Sequence, residues 1–144
     1  MTDVTENLLE ETCLEWFDEL DWGIVYGPDI APETPHAERT KWDDTILLER
    51  LRSALHDINP EVPACGIEDA IRKITSTASP DFVVNNRAFH RFLTEGIDVE
   101  ISADAAYGGL RTVKVWLLDL EDIDNNNWLA LNQFTVVENG VDEH

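Results

Sequence analysis

The hydrophobic pattern of the chain changes its period near residue 97, and this change constrains the fold more than any other feature. Upstream, apolar residues recur at the three- and four-residue spacing of a helix that faces a core, for instance at Leu51, Leu55 and Ile58. From Ile97 to Ile101 apolar and polar residues alternate strictly, which is typical of a strand with one buried face. Helices come first and strands follow, so the sequence predicts an α/β protein in α+β order.

Four helices are predicted from apolar stripes and from the residues that interrupt them. The first helix is expected to end before Gly23, and the second to end at Asn59, because the residue before Pro60 is pushed out of the helical region. Ser79-Pro80-Asp81 predicts the start of the fourth helix, with Ser79 as N-cap, and Gly96 is its expected C-terminal cap. Apolar faces are expected at these residues: Leu9, Cys13, Trp16, Phe17 and Leu20; Leu47, Leu51, Ala54, Leu55 and Ile58; Ile67, Ala70, Ile71 and Ile74; Phe82, Phe89 and Leu93.

The strands are expected to form a mostly antiparallel β-meander that follows the helices. A short strand is predicted at Ile24–Tyr26, and the longer ones at Ile97–Ile101, Thr112–Leu120 and Leu129–Val137, with a turn over Ala105–Gly109. With 144 residues and no internal repeat, the chain is expected to be a single domain over residues 1–144.

The charge of the chain is strongly negative, with 30 Asp and Glu against 10 Lys and Arg, a net −20. Such a surface repels phosphate backbones at low salt. Three interpretations stay open: an ordinary soluble acidic domain, the surface of a halophile's protein, and a DNA mimic. The acids are spread along the chain and do not form one block, which weakens the third interpretation.

Several common functional motifs are missing from the sequence. Gly108-Gly109 lacks the Gly-Lys-Ser/Thr that would complete a phosphate-binding loop, and neither G-x-S-x-G nor H-E-x-x-H occurs. No apolar run of membrane-spanning length and no secretory signal is seen, so we expect no membrane association and a cytoplasmic location with Cys13 and Cys65 reduced. The acidic stretch Asp119–Asp124 fits either a solvated loop or a calcium site.

Polar residues inside otherwise apolar elements are the candidate functional residues. Asn is a modest helix former that prefers local backbone partners, so an Asn pair in the fourth helix suggests a polar contact that the fold requires. A buried Asn or Gln within a strand must likewise find hydrogen-bond partners. Both sets could serve the structure or contact a substrate. The residues are Asn85, Asn86, Arg87 and His90 in the helix and Asn132 and Gln133 in the strand.

Four blocks of the chain, "VYGPDIAPE", "NPEVP", "NNRAFHRFLTEGIDVE" and "NNNWLALNQFTVVENG", closely resemble, in that order, the N-terminal region of the restriction subunit of type I restriction–modification systems. The resemblance runs from about Thr5 to Gly140, and departs from the family in the loop Leu117–Trp128, where Leu120 and Ile123 replace an aromatic residue and a Pro. It implies a restriction-endonuclease-like core, a mixed sheet flanked by helices. For the full-length protein it implies Mg²⁺ and ATP as cofactors, and DNA with the methyltransferase and specificity subunits as partners.

The resemblance also implies a PD-(D/E)xK nuclease site, in which an Asp, a Glu and a Lys act together with the metal. No Lys of this chain has an acid two residues before it, and in the family the catalytic residues follow the "NQFTVVE" strand. We therefore expect an incomplete nuclease core, truncated before the catalytic strands and inactive alone. Glu10 resembles a family Glu near the nuclease site, although a solvated helix acid is an equally open interpretation. Asn132 and Gln133 would lie beside that site, and the polar residues of the fourth helix, Asn85, Asn86, Arg87 and His90, are expected near it. The alternative function is a non-catalytic acidic binding protein, such as a DNA mimic or an assembly decoy.

Overall fold

The structure, a computed structural model, describes residues 5–76, 79–102, 108–138 and 141–143. Gly140, the end of the resemblance, and residues 105–107 of the expected turn lie outside these ranges. Within them the chain is a mixed α/β protein, as the sequence predicts. The helices are α1 (Glu6–Glu19), α2 (Leu48–Ile58), α3 (Ala64–Thr75) and α4 (Phe82–Glu95). The strands are β1 (Gly23–Tyr26), β2 (Ile97–Ser102), β3 (Leu110–Val115), β4 (Leu129–Asn132), β5 (Val136–Glu138) and β6 (Val141–Glu143).

The chain divides into two compact units. The first unit comprises Met1–Leu48 and Asn127–His144, and the second comprises Glu49–Asn126. None of the described helices has both the length and the apolar character that crossing a bilayer requires.

The second unit contains a well-packed apolar core beneath an antiparallel hairpin. β2 pairs with β3 from Ile97 opposite Val115 to Ser102 opposite Leu110. Side chains of β2 alternate between buried and exposed along the whole strand, which confirms the half-buried strand expected from the sequence. Helices α2 and α3 cover the buried face, and the core consists of Leu55, Ile67, Ala70, Ile71, Ile97, Val99, Ile101 and Val115.

The first unit is organised by a parallel strand pair. β1 and β4 run side by side, with Gly23 opposite Leu129 and Tyr26 opposite Asn132. Aromatic rings lie at the start of this pair, where Trp22 stacks on Trp128 at a centroid distance of 5.1 Å. Because the paired residues lie more than a hundred positions apart, nothing in the local sequence indicates that they are neighbours.

The mostly antiparallel β-meander expected from the sequence is wrong for the described residues, because their strands do not form one sheet. The six strands form three two-stranded sheets, in which β2–β3 and β5–β6 are antiparallel but β1–β4 is parallel. The strand expected over Leu129–Val137 is interrupted, because Gln133 adopts a left-handed backbone with φ of 52°. The strand expected over Thr112–Leu120 ends at Val115, where the chain turns into an acidic loop.

Two expectations about the helices also need correction. The N-cap of α4 is Asp81, whose carboxylate accepts a hydrogen bond from the N–H of Val83 at 2.8 Å, and Ser79 lies outside the helix. Phe82 is therefore in the first turn and 80% exposed instead of in the core. The stripe of α1 is largely exposed in the structure, at Leu9, Trp16 and Leu20 among others. Gly96 caps α4 with a φ of 74°, as the sequence predicts.

Candidate functional site

The candidate site lies in the first unit, where the carboxyl ends of β1 and β4 meet helix α1. Ligands of open α/β sheets bind preferentially in the crevice outside the carboxyl ends of parallel strands. Here those ends are Tyr26 and Asn132, which lie opposite each other. The backbone leaves the extended conformation directly after each strand, at Gly27 after β1 and at Gln133 after β4.

Glu10 faces this point from the middle of α1. Thr5 begins the helix as its N-cap, and its hydroxyl accepts a hydrogen bond from the N–H of Leu8 at 3.3 Å. Glu10 is half-buried, whereas the other acids of α1 are exposed: Glu6, Glu11, Glu15, Asp18 and Glu19. The amide Nε2 of Gln133 donates to both carboxylate oxygens of Glu10, at 2.9 and 3.1 Å. The structure thus brings together two residues that the sequence singled out separately.

The backbone around Gln133 is crowded in a way that requires glycine at position 27. A Cβ on Gly27 would lie 2.4 Å from the carbonyl oxygen of Gln133 and 2.5 Å from that of Asn132. Gln133 itself has a positive φ, which costs a residue with a Cβ about 1 kcal/mol or more. Strained backbone of this kind occurs preferentially at functional sites, so Gly27 and Gln133 together mark this junction.

A cleft of about 200 Å³ adjoins the junction and is lined in part by Gly27, Thr34, Arg39, Gln133 and Thr135. Arg39 was not predicted as a site residue, because one Arg in a polar loop carries no periodic or motif signal. Its guanidinium group is buried, at 4% exposure, and lies over the ring of Phe134 at 4.0 Å. Such a cation–π contact adds to the hydrogen bonds that hold the group in place.

Arg39 ties the loop that follows it to the chain after β4. Its Nη1 donates to the carbonyl oxygens of Thr135 at 2.9 Å, Asp44 at 3.2 Å and Trp42 at 3.4 Å. The carboxylate of Asp44 closes the same loop, since it accepts from the N–H of Lys41 and from the hydroxyl and N–H of Thr40. These donors, the Lys41 N–H first, lower the pKa of Asp44 below the usual aspartate value. The wall of the cleft is therefore held by a fixed cation and an ionised carboxylate.

The four polar residues expected on the fourth helix all lie in the second unit. The side-chain oxygen of Asn85 accepts from the N–H of Ser79 at 3.2 Å, and its amide donates to the Ser79 carbonyl at 2.7 Å. Asn85 thus fixes the turn before α4. Asn86, Arg87 and His90 are exposed on the helix. Their proximity to the Glu10 site therefore stays a prediction.

The acidic loop after β3 is built around one carboxylate. Asp119 accepts hydrogen bonds from the N–H of Asp122 at 2.9 Å, the side chain of Asn125 at 3.0 Å and the N–H of Glu121 at 3.1 Å. These donors, the Asp122 N–H first, lower the pKa of Asp119. Within the described ranges, no three His, Cys, Asp or Glu side chains are grouped closely enough to hold a metal ion.

Comparison with known proteins covers nearly the whole chain. The family model described as the N terminus of the type I restriction enzyme R protein matches residues 3–143. The type I restriction enzyme HindI endonuclease subunit of Haemophilus influenzae is 28% identical over 133 residues, which are 92% of this chain and 12% of that protein. The putative type I restriction enzyme MjaIXP endonuclease subunit of Methanocaldococcus jannaschii is 29% identical over 136 residues, which are 92% of this chain and 13% of that protein. The chain thus spans a small fraction of the length of these curated relatives. No solved structure matches it.

Proposed function

The chain belongs to the family of type I restriction enzyme R protein N termini, and from this premise we propose that it forms the N-terminal part of a DNA-cleaving restriction subunit. The observation that carries the proposal is the family match over residues 3–143. The activity of such a subunit is ATP- and Mg²⁺-dependent translocation and cleavage of DNA, in assembly with methyltransferase and specificity subunits. Because the chain spans 12% and 13% of two relatives, most of that machinery would lie outside its 144 residues.

The parallel pair β1–β4 is consistent with part of a restriction-endonuclease-like core. Parallel strands occur almost only in sheets whose faces are covered by helices. In the first unit, α1 and the aromatic residues at the start of the pair supply some of that cover, yet Ile24 and Tyr26 remain 39% and 49% exposed. We therefore propose that β1 and β4 belong to a larger mixed sheet, whose further strands bring the Asp and the acid-x-Lys pair of a PD-(D/E)xK site.

Glu10 fits one ligand position of the Mg²⁺ ion that the family implies. Mg²⁺ keeps several waters and binds proteins through one or two carboxylates together with substrate phosphates. The two oxygens of an ionised Glu offer about four lone-pair positions, and Gln133 occupies one on each oxygen, so a position on each remains. Bound Mg²⁺ would polarise a phosphodiester and lower the pKa of a water molecule. ATP does not fit this chain, because no phosphate-binding loop is present in its sequence.

The role of Gln133 in this proposal is to orient Glu10. A neutral amide that bonds both oxygens fixes the plane of the carboxylate without adding a competing charge. Gln133 is exposed and Glu10 is half-buried, so the contact lies at the surface, where water competes with it. Glu10 is then held in one rotamer before metal and DNA arrive, which is the preorganisation that a metal-dependent nuclease site needs.

Mn²⁺ serves as a paramagnetic probe of the proposed metal position. Amide resonances of Glu10, Asn132 and Gln133 should broaden at lower Mn²⁺ concentrations than those of the exposed α1 acids, and Glu10→Gln should abolish this preference. Glu15→Gln is the matched control, because Glu15 is an exposed acid on the same helix. Equal effects of the two substitutions would show that Mn²⁺ only follows the overall negative charge.

Plasmid cleavage tests whether the chain alone lacks nuclease activity, as we propose. The 144-residue chain with Mg²⁺ and ATP should leave supercoiled plasmid intact, because it has no acid-x-Lys pair. Nicking or linearisation that depends on Mg²⁺ and is lost in Glu10→Gln would contradict the proposed inactivity of the chain alone.

The net charge of −20 supports a second candidate, a non-catalytic acidic protein that mimics DNA or competes for assembly. This function predicts that excess chain inhibits DNA cleavage by an assembled type I restriction complex. An unchanged cleavage rate at large molar excess would exclude it.

A further inference from the structure

The loop between β3 and β4 is rigid although it lies at the surface. Asn126 accepts the N–H of Asp119 at 2.7 Å and donates to the Asp119 carbonyl at 2.8 Å. Asp119 in turn binds the backbone N–H groups of Glu121 and Asp122, so the two side chains fix the loop from both sides. The loop therefore has a defined shape before any partner binds.

This rigid loop presents large apolar side chains to solvent. Leu120 is 65% exposed and Trp116, at the end of β3, is 41% exposed. Both line a cleft of about 440 Å³ whose other apolar walls are Ile58 and Leu118. A fixed loop that exposes Leu and Trp beside a cleft is typical of an interaction surface, because hydrophobic side chains without such a role are usually scattered singly.

The rim of this cleft is acidic. Asp119 and Glu121 line it, and Asp122 and Asp124 follow in the same exposed loop. Residues 117–126 contain four acids and no Lys or Arg. Asp119 is engaged with backbone donors, but Glu121, Asp122 and Asp124 are exposed and leave their charge facing solvent. The cleft therefore combines an apolar floor with a negative rim.

The charge decides between the possible occupants. A second copy of a chain with net charge −20 would place one acidic rim against another, and DNA phosphates would be repelled in the same way. A helix with apolar residues on one face and Lys or Arg beside them complements both the floor and the rim.

We propose that the surface formed by Trp116, Leu118, Leu120 and Glu121, together with Ile58, docks a basic amphipathic helix of another protein. Apolar side chains of the helix, spaced one turn apart, enter the cleft beside Trp116 and Leu120. Its cations pair with the exposed acids of the loop. This inference rests on the second unit alone and does not depend on the nuclease role proposed for the first unit.

The probe is a synthetic amphipathic helical peptide with Leu on one face and Lys on the other, titrated into the full 144-residue chain at physiological ionic strength. Amide chemical shifts should change chiefly at Ile58 and residues 116–121. Leu120→Ser should weaken binding by about tenfold, as expected when one buried leucine contact is lost. Leu110→Ser is the matched control, because Leu110 is 68% exposed in the same unit and its substitution likewise removes no charge. The affinity of this variant for the peptide should stay unchanged.

Three results would overturn the proposal. If Leu120→Ser and Leu110→Ser weakened peptide binding equally, the cleft would not be the binding surface. A Lys/Ser peptide without an apolar face that binds as tightly as the Leu/Lys peptide would show charge attraction only. Sedimentation that reveals a dimer of the chain, lost in Leu120→Ser, would assign the surface to a second copy. Equal thermal midpoints of the two variants would confirm that folding does not explain a difference in binding.

Discussion

Gln133 donates its side-chain amide to both carboxylate oxygens of Glu10, at 2.9 and 3.1 Å, although 123 positions separate the two residues. The contact depends on a left-handed backbone at Gln133 and on the close approach of Gly27. A strained residue and an obligatory glycine thus hold one acid of α1 in place. This relationship can be dissected by substitution without touching the core of the second unit.

Two substitutions of Gln133 separate the hydrogen bonds from the backbone strain. Gln133→Ala loses the contact to Glu10 and keeps the Cβ at positive φ, and should lower the free energy of unfolding by about 1 kcal/mol. Gln133→Gly loses the same contact but relieves the strain, and should be more stable than Gln133→Ala by about 0.5 kcal/mol after the entropy of glycine in the unfolded chain is included. Urea unfolding measures both values. A glycine variant less stable than the alanine variant would argue against strain at this position.

Gly27→Ala should be one of the most damaging small substitutions in the first unit. The new Cβ would lie within 2.5 Å of two backbone carbonyl oxygens, which cannot move aside as a flexible side chain can. We expect a loss of about 3 kcal/mol in the free energy of unfolding. Gly23→Ala is the control, since its nearest neighbours would be a side-chain carbon of Leu129 at 3.4 Å and the Trp128 carbonyl at 3.5 Å. Similar midpoints for the two variants in chemical unfolding would refute the crowding argument.

Asn59 should stabilise the second unit more than its position after a helix suggests. Its buried amide accepts the N–H of Trp116 and donates to the Trp116 carbonyl, both at 2.8 Å. Asn59→Ala leaves both backbone groups without this partner and should cost about 3 kcal/mol. Asn86→Ala, on the exposed side of α4, should change stability by less than about 0.5 kcal/mol. Thermal unfolding followed by near-ultraviolet circular dichroism compares the two.

The stability of the acidic loop should depend on pH through the ionisation of Asp119. Its pKa is lowered in the folded state, so ionised Asp119 stabilises the loop above the ordinary aspartate pKa, and this contribution is lost as the pH falls through the lowered value. Carbon-detected NMR titration should place the Asp119 pKa below the ordinary aspartate value. Asn125→Ala removes one donor and should raise the pKa toward that value. An unchanged pKa in Asn125→Ala would exclude the amide as a cause.

The halophilic interpretation of the charge predicts a salt response. If mutual repulsion among the carboxylates limits stability, the thermal midpoint should rise by about 5 °C or more as KCl increases from low to molar concentration, because salt screens that repulsion. Differential scanning calorimetry in KCl, with sucrose as an uncharged control, measures the effect. A midpoint that does not change with KCl would favour an ordinary acidic domain.

The residues of the candidate site were only partly predictable. The resemblance placed both Glu10 and Gln133 near the nuclease site, and Gln133 was also identified as a polar residue in an apolar strand, but no pattern indicated their direct contact. Gly27 stands in the sequence Gly27-Pro28-Asp29, which predicts the end of the short strand without revealing the carbonyl oxygens that approach Gly27. Arg39 gave no signal, because one Arg in a polar loop forms no pattern and its contact with Thr135 joins positions 96 residues apart.

The sequence by itself determined the features that depend on near neighbours along the chain. The alternation of β2, the end of α2 before Pro60 and the cap at Gly96 follow from side-chain period and local backbone preference. Tertiary structure alone decided the parallel pairing of β1 with β4, the left-handed turn at Gln133 and the contact of its amide with Glu10. The strand pairing and the Glu10 contact join segments more than a hundred residues apart, so packing must compensate for the entropy of closing so long a loop. The left-handed turn at Gln133 is strained, and it persists only because the surrounding structure compensates for that strain.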